Sequence, residues 1–325
     1  MLGQVAIGLA GVVATPVSFL AYYAYKRNLL FRSKYVSRII QENRPSFTAE
    51  LVCLYRAVGN DLGWCHDPLA YYILDWDARI LVVVAVVLKR LLGRFLRLNM
   101  FVFMSARTAY LDKFIMDNAP LRQLVILGAG LDARAYRMRR QLGDGIRVFE
   151  VDASATQAMK RQKMQTLARE HPEIFDVVDY EKYVSFVSCD FSSESFVDRL
   201  KANGFDLGNP RTTVLLEGVA SYLTPEALKE TLAAVGKFAP GTRMAMNIVA
   251  KSEDNSNFQF FLKNIVGEER RNSWDPKQDP SEFFGPLGFK VLENRQFGDL
   301  VDLFPVFKAE VKLRHSGYFF LLEVV

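Results

Sequence analysis

Cysteine and histidine are scarce in this 325-residue chain, three of each. Cys53, Cys65 and Cys189 are widely spaced and odd in number, so neither a disulfide framework nor a CxxC site can be built from them. The histidines, His66, His171 and His315, are scattered, which argues against a structural or catalytic zinc; no metal site is expected. Internal repeats and low-complexity tracts are missing as well. What remains is a reduced chain long enough to bury one large core or two small ones.

Acidic residues are absent from two stretches. None occurs in the first 38 residues, and Leu2–Tyr25 carries no charge of either sign. That run is long enough to cross a bilayer of ~30 Å as a helix. Lys26, Arg27, Arg32, Lys34 and Arg38 follow it, and these five cations equal the whole formal excess of +5. Basic residues just after a span hold that side in the cytoplasm and favour anionic headgroups. The expectation is a membrane protein with a single-pass anchor over residues 1–25 and its catalytic domain on the cytoplasmic side. The basic pI then points to a membrane surface and not to nucleic acid.

The second acid-free stretch is 79–111. Between Leu88 and Leu98 the pattern is amphipathic, with Lys89, Arg90, Arg94 and Arg97 on one arc and Leu88, Leu91, Leu92, Phe95 and Leu98 opposite. Two readings stand open: a helix lying on headgroups, or one whose apolar face packs on the core. Ahead of it, Ser46 followed by Glu50 forms a capping pattern for a helix start. Residues 26–111 are expected to form a basic juxtamembrane and helical cap region, with a ligand-binding domain over 112–325.

The chain is organised around residues 124–152. Leu124–Leu127 is an apolar run stopped by Gly128-Ala129-Gly130. A helical stretch with several arginines follows, and Arg147–Val151 ends on Asp152. A buried strand, a turn without side chains, and an acid about 20 residues later are the parts of a nucleoside-binding crevice. Further strands are expected over Tyr183–Ser188, ending at Cys189-Asp190-Phe191; over Thr212–Leu216, ending at Glu217-Gly218; and over Arg243–Val249. Helices are expected over 192–202 and 226–238. Strands alternating with helices imply an α/β fold, a doubly wound and mostly parallel sheet. Lys290–Leu292 and Tyr318–Glu323, with no long helix between them, are expected to make an antiparallel edge. Residues 251–284, polar and rich in Asn, Asp, Glu and Pro, read as an excursion over the site.

Ligands in such a sheet bind at the carboxyl ends of the strands. Three of the first four strand tips carry acids: Asp152, Asp190 and Glu217. A pyrophosphate wants helix-end amides and no nearby anion, and Asp132 falls in the first turn after the glycines. S-adenosylmethionine brings a sulfonium and an ammonium, so an acidic rim suits it better than a dinucleotide. The only Tyr-x-x-x-Lys pair, Tyr22 with Lys26, lies at the apolar run and gives no dehydrogenase site.

Six blocks then resemble the leucine carboxyl methyltransferase family of class I methyltransferases. They are GWCHDPL at Gly63–Leu69, ARTAYLD at Ala106–Asp112, LGAGLDARAYR at Leu127–Arg137, FEVD at Phe149–Asp152, CDF at Cys189–Phe191, and LEGVASYLTP at Leu216–Pro225. They run in family order and cover roughly residues 45–240. The resemblance implies a seven-stranded sheet and S-adenosyl-L-methionine as cofactor. It implies that Arg107 grips the cofactor carboxylate, that Gly128 and Gly130 let its methionine part lie on backbone, and that Asp152 binds the ribose hydroxyls. Asp190 and Phe191 would flank the adenine, and Glu217 would face the ammonium. Tyr222 and Arg56 are the candidates to orient an acceptor carboxylate. The expected function is O-methylation, on a carboxylate of a small-molecule, lipid-like or membrane-proximal acceptor, a protein carboxylate being possible. The alternatives are a catalytically silent scaffold that keeps the fold, or a nucleotide-dependent oxidoreductase.

Overall fold

The computed structural model describes residues 46–93, 96, 98–143, 145–173, 180–191, 194–251, 270–308, 310 and 317–325. The expected anchor (1–25) and the basic cluster behind it lie outside the described residues. The membrane assignment is corrected: among the described residues no helix is long and apolar enough to cross a membrane.

Among the described residues four helices precede the first strand: α1 Phe47–Asp61, α2 Leu69–Ile73, α3 Trp76–Leu92 and α4 Asn99–Asp117. Ser46 caps α1 as its position suggests, its hydroxyl accepting from the Ala49 amide at 3.2 Å. Where α1 crosses α4, a Cβ on Gly59 would lie 2.1 Å from Ser105 Oγ, so the close approach requires a residue without a side chain. The amphipathic stretch Leu88–Leu98 is not one helix. α3 stops at Leu92, because Gly93 takes φ +50° and ends the hydrogen-bond ladder. The arcs are followed only in part: Leu88 and Leu92 pack against the core, Leu98 is buried in it and Arg90 is exposed. Lys89 is buried and meets Glu310 at 2.5 Å, while Leu91 is 75 % exposed. Trp76, Ile80, Val83, Val84, Val87 and Leu91 together form an exposed apolar stripe along α3.

The strands are β1 Gln123–Leu127, β2 Arg147–Asp152, β3 Val184–Ser188, β4 Thr212–Leu216, β5 Arg243–Val249, β6 Phe289–Gln296 and β7 Gly317–Val324. They form one seven-stranded sheet in the order β3-β2-β1-β4-β5-β7-β6. β1 to β5 pair in parallel, and β7 lies antiparallel between β5 and β6. The antiparallel edge is as expected. Both faces of the parallel part are covered, which is why these strands read as near-continuous apolar runs. Leu124 and Ile126 face the core shared with α1–α4, while Val125 and Leu127 face the opposite one.

The connecting helices are α5 Arg134–Arg137, α6 Arg139–Leu142, α7 Ser154–Glu170, α8 Phe196–Ala202, α9 Pro225–Val235, α10 Pro280–Phe284 and α11 Phe297–Leu303. Of the expected excursion over 251–284, residues 270–284 run beside the sheet. Trp274 is buried there against Phe284 and Phe320. The strand order reverses between β1 and β4. Their carboxyl ends therefore diverge into a crevice, the switch point where such sheets hold ligands.

Candidate active site

That crevice is a cavity of about 650 Å³, and its lining includes all nine residues singled out from the sequence. They are Arg56, Arg107, Gly128, Gly130, Asp152, Asp190, Phe191, Glu217 and Tyr222. The glycine turn is held by β2. The Gly128 amide donates to the Val151 carbonyl at 2.7 Å, and the Gly130 amide donates to Asp152 Oδ2 at 2.6 Å. Gly128 has φ +71°, and a Cβ there would lie 2.1 Å from Val219 Cγ2. Side chains are thus excluded both by backbone conformation and by space.

Asp152 stands at the tip of β2, half-buried, with Oδ1 accepting from the Ala153 amide at 2.7 Å. Asp190 follows β3 on the exposed side, its amide donating to Glu194 Oε2 at 2.9 Å. The Phe191 ring packs at 5.9 Å from Phe196 and lines the same end of the cavity.

Glu217 is placed differently from an open strand-tip acid. Its Oε1 meets Arg107 Nε at 2.7 Å and its Oε2 meets Arg134 Nη1 at 2.5 Å. Arg134, 0 % exposed, also holds Asp112 at 2.7 Å and pairs with Asp132. Arg137 reaches Asp112 at 2.7 Å and Asp67 at 3.8 Å. Arg56 closes the net, 3.5 Å from Asp67 and 3.9 Å from Asp132, and donates to the Leu131 carbonyl at 2.8 Å. Four guanidinium groups and four carboxylates thus balance beneath the crevice. Burial works to raise Asp132 and Glu217, but the guanidinium groups outweigh it and hold both below the usual carboxylate range. Burial works against the charge on Arg134 too, and Asp132 and Glu217 more than restore it.

This net changes two readings made from the sequence. The Asp132 charge is already matched by Arg134 and Arg56, so it is no bare anion in the path of a phosphate. Arg56 is 3 % exposed with its guanidinium committed to the net, and it sits at the floor of the cavity. Sequence reasoning missed Arg134, Arg137, Asp67 and Asp112 as partners, although each lies within one of the quoted blocks. It also missed Arg270 and Arg271, which line the cavity from the segment after residue 269.

The family model for leucine carboxyl methyltransferase matches residues 49–236, more than half of the chain. The chain belongs to the leucine carboxyl methyltransferase family. A Mycobacterium avium relative is 35 % identical over 153 residues, which are 46 % of this chain and 45 % of that protein. One from Mycobacterium sp. strain KMS is 31 % identical over 160 residues, 48 % of each chain. Both bear the name "putative S-adenosyl-L-methionine-dependent methyltransferase". The chain spans about half the length of these curated relatives.

Two solved structures share the family member's fold. One is of a protein from Thermobifida fusca titled a "putative methyltransferase" (TM-score 0.53, 15 % identity, 87 % of this chain and 96 % of that one). The other is of a DUF574 family protein from Streptomyces avermitilis (TM-score 0.54, 14 % identity, 87 % and 99 %). The sheet and its flanking helices are those of class I methyltransferases.

Proposed function

We propose that this family member is an S-adenosylmethionine-dependent methyltransferase whose acceptor atom is a carboxylate oxygen. The observation that carries the reading is Asp152, which ties the glycine turn at the switch point and lines the cavity there. The donor set fits the cofactor. Asp152 suits a ribose diol, Asp190 and Phe191 suit an adenine, and Gly128 to Gly130 offer bare backbone. Arg107 lies under Gly218, its Nη1 3.3 Å from where a Cβ would be, and suits an α-carboxylate. A cavity of about 650 Å³ is within the range of cofactor sites.

When bound, the cofactor supplies an activated methyl group: a C–O bond forms to the acceptor as the C–S bond breaks, leaving a neutral thioether and an ester. No proton has to leave a carboxylate acceptor, so the protein's task is alignment. Among the described residues that line the cavity there is no histidine. Cys189, which lines the cavity, is pushed up to about 11 by burial and stays protonated at neutral pH. Tyr222 stands in the lining with its amide tied to the Val219 carbonyl at 2.8 Å, which directs its ring from the turn after β4. The acceptor role given to Arg56 from the sequence passes to Tyr222 and its neighbours, because Arg56 is locked below them. A lipid-like acceptor draws its support from the apolar part of the lining, including Val52, Phe103, Met104 and Val249.

The test is calorimetric titration of the wild-type protein and Asp152→Ala with S-adenosylhomocysteine, beside NAD and NADP. Binding of the thioether alone, lost in the variant, is the expected result. Unchanged affinity in Asp152→Ala would refute the assignment, and preferential binding of a nicotinamide cofactor would replace the reading with an oxidoreductase.

A further inference from the structure

α3 is apolar on two faces, and the fold of one chain uses only one of them. From Ile80 to Leu88 the helix holds no polar residue. Ala78, Val82, Ala85 and Val86 turn inward and are buried. Trp76, Ile80, Val83, Val84, Val87 and Leu91 turn outward. Trp76 is 74 % exposed and Leu91 75 %, and the four between them are 46–49 % exposed. At about 100° per residue these six fall within an arc of about 100°, over about 22 Å of helix. A continuous apolar outer face of this kind marks a surface that something covers. None of the six is among the residues lining the cavity.

Area and spacing fit one kind of cover. At about 180 Å² for a large apolar residue, these exposures amount to about 600 Å². That is the upper end of the largest apolar patch on a typical monomer, roughly 300–600 Å². Paired with its own copy, the face would remove about 1,200 Å² from water before any rim is counted, which is where specific, stable interfaces begin. Trp76, Ile80, Val83 and Val87 follow one another by four, three and four residues, the a/d step of seams between helices. The stripe is also symmetric about a midpoint between Val83 and Val84. Trp76 and Leu91 stand equally far from that point, Ile80 and Val87 likewise, and Val83 and Val84 flank it. A two-fold axis crossing α3 there brings Trp76 level with Leu91 of a second copy, and Ile80 level with its Val87. Val83 then lies beside Val83 of the second copy, on the axis. Such a contact is isologous, one patch completing itself.

The ends of the helix set its direction. Asp75 and Asp77 stand at the N-terminal end of α3, and Arg90 stands in its last turn. Asp75 is joined by Lys163 at 2.6 Å, and Arg90 donates to the Asp61 carbonyl at 3.0 Å. An antiparallel crossing opposes the helix dipoles and sets the acidic end level with the cationic one, whereas a parallel crossing stacks like ends. It also brings Arg90 beside Trp76 of the second copy, a cation next to an indole.

We propose that α3 is a dimer interface: its outer face packs antiparallel on the same face of a second copy of this chain, about a two-fold axis between Val83 and Val84.

The experiment measures the mass of the full chain by light scattering and sedimentation over a concentration series. The wild-type protein is expected at twice its chain mass of 37.0 kDa, dissociating at about 10 µM or below. Val83→Glu sets two carboxylates against each other on the axis and should weaken association about a hundredfold. Val83→Lys should do the same. Mixed in equal amounts, the two variants should recover the dimer, because the axis sets position 83 against itself. That recovery separates lost pairing from lost folding. A wild-type monomer would hand the stripe to another cover, such as the apolar run 2–25, and would overturn the proposal. So would a dimer that persists in Val83→Glu, which would lie on another face, or two folded variants that fail to pair when mixed.

Discussion

The Gly130 amide and the Asp152 carboxylate, 2.6 Å apart, join the two halves of the nucleoside end of the crevice. One Asp152 oxygen fixes the turn after β1, and the other accepts from the Ala153 amide at the N-terminal boundary of α7. A ligand seated against this residue meets a carboxylate whose position is set by both neighbours.

Asp152→Asn keeps an oxygen for the Gly130 amide and removes the charge. The fold should survive with a small shift in melting temperature, while S-adenosylhomocysteine affinity falls about tenfold or more, the loss expected for a charged hydrogen-bond acceptor. Calorimetry beside a thermal melt separates the two effects.

Gly128→Ala places a methyl group against Val219 at a backbone angle that L-residues avoid. We expect a loss of about 1–3 kcal/mol in urea unfolding. Adding Val219→Ala should recover the steric part and leave the backbone part. Simple additivity of the two single losses would show that the methyl does not meet Val219.

Arg134→Met leaves Asp132, Asp112 and Glu217 short of a guanidinium in a buried place. The expected cost is about 3–5 kcal/mol, the range for breaking a buried ion pair from one side. Arg134→Lys should restore little, because a single ammonium cannot reach three carboxylates in the fork geometry. Denaturant titration of both variants checks this.

Glu150 and Lys160 form a second buried pair, 2.6 Å apart and both almost wholly inaccessible. Burial pushes Glu150 up to about 7, against the pull of Lys160. A carboxyl raised on folding holds its proton while the unfolded chain releases it. It therefore lowers stability as pH rises from about 4.5 to 7, by about 3 kcal/mol at most. Asp132 and Glu217 act in the opposite sense: their pairing stabilises above the ordinary carboxylate range and fades as acid is added. Glu150→Gln should remove the falling limb between pH 4.5 and 7 in a series of urea titrations. Persistence of that limb would show that another group produces it.

Much of the architecture was legible along the chain because its causes are local. A strand buried on both faces must be a short apolar run, and a turn that bars side chains must be glycine. Hence β1 to β5, the Gly128–Gly130 turn and the acids at the ends of β2, β3 and β4 could be named from the sequence, and the turn and those acids line one cavity. The two readings of Leu88–Leu98 stayed open in the sequence because periodicity ranks a helix's faces without saying what covers each. In the fold, Glu310 draws Lys89 inward, and the apolar stripe of α3 stays exposed.

By itself, then, the sequence determined the order of strands and helices, the switch-point turn, and the family to which the chain belongs. Only tertiary structure decided the charge of the site. Asp67, Asp112, Asp132 and Glu217 are separated along the chain, and each reads as one more acid until packing sets it against Arg56, Arg107, Arg134 and Arg137. Electrostatic energy falls off with distance in space, and separation along the sequence does not report that distance. For the same reason the entry of Arg270 and Arg271 into the cavity lining, in a segment tied to Ser221 and Val249 by hydrogen bonds, had no signature in the residues around them.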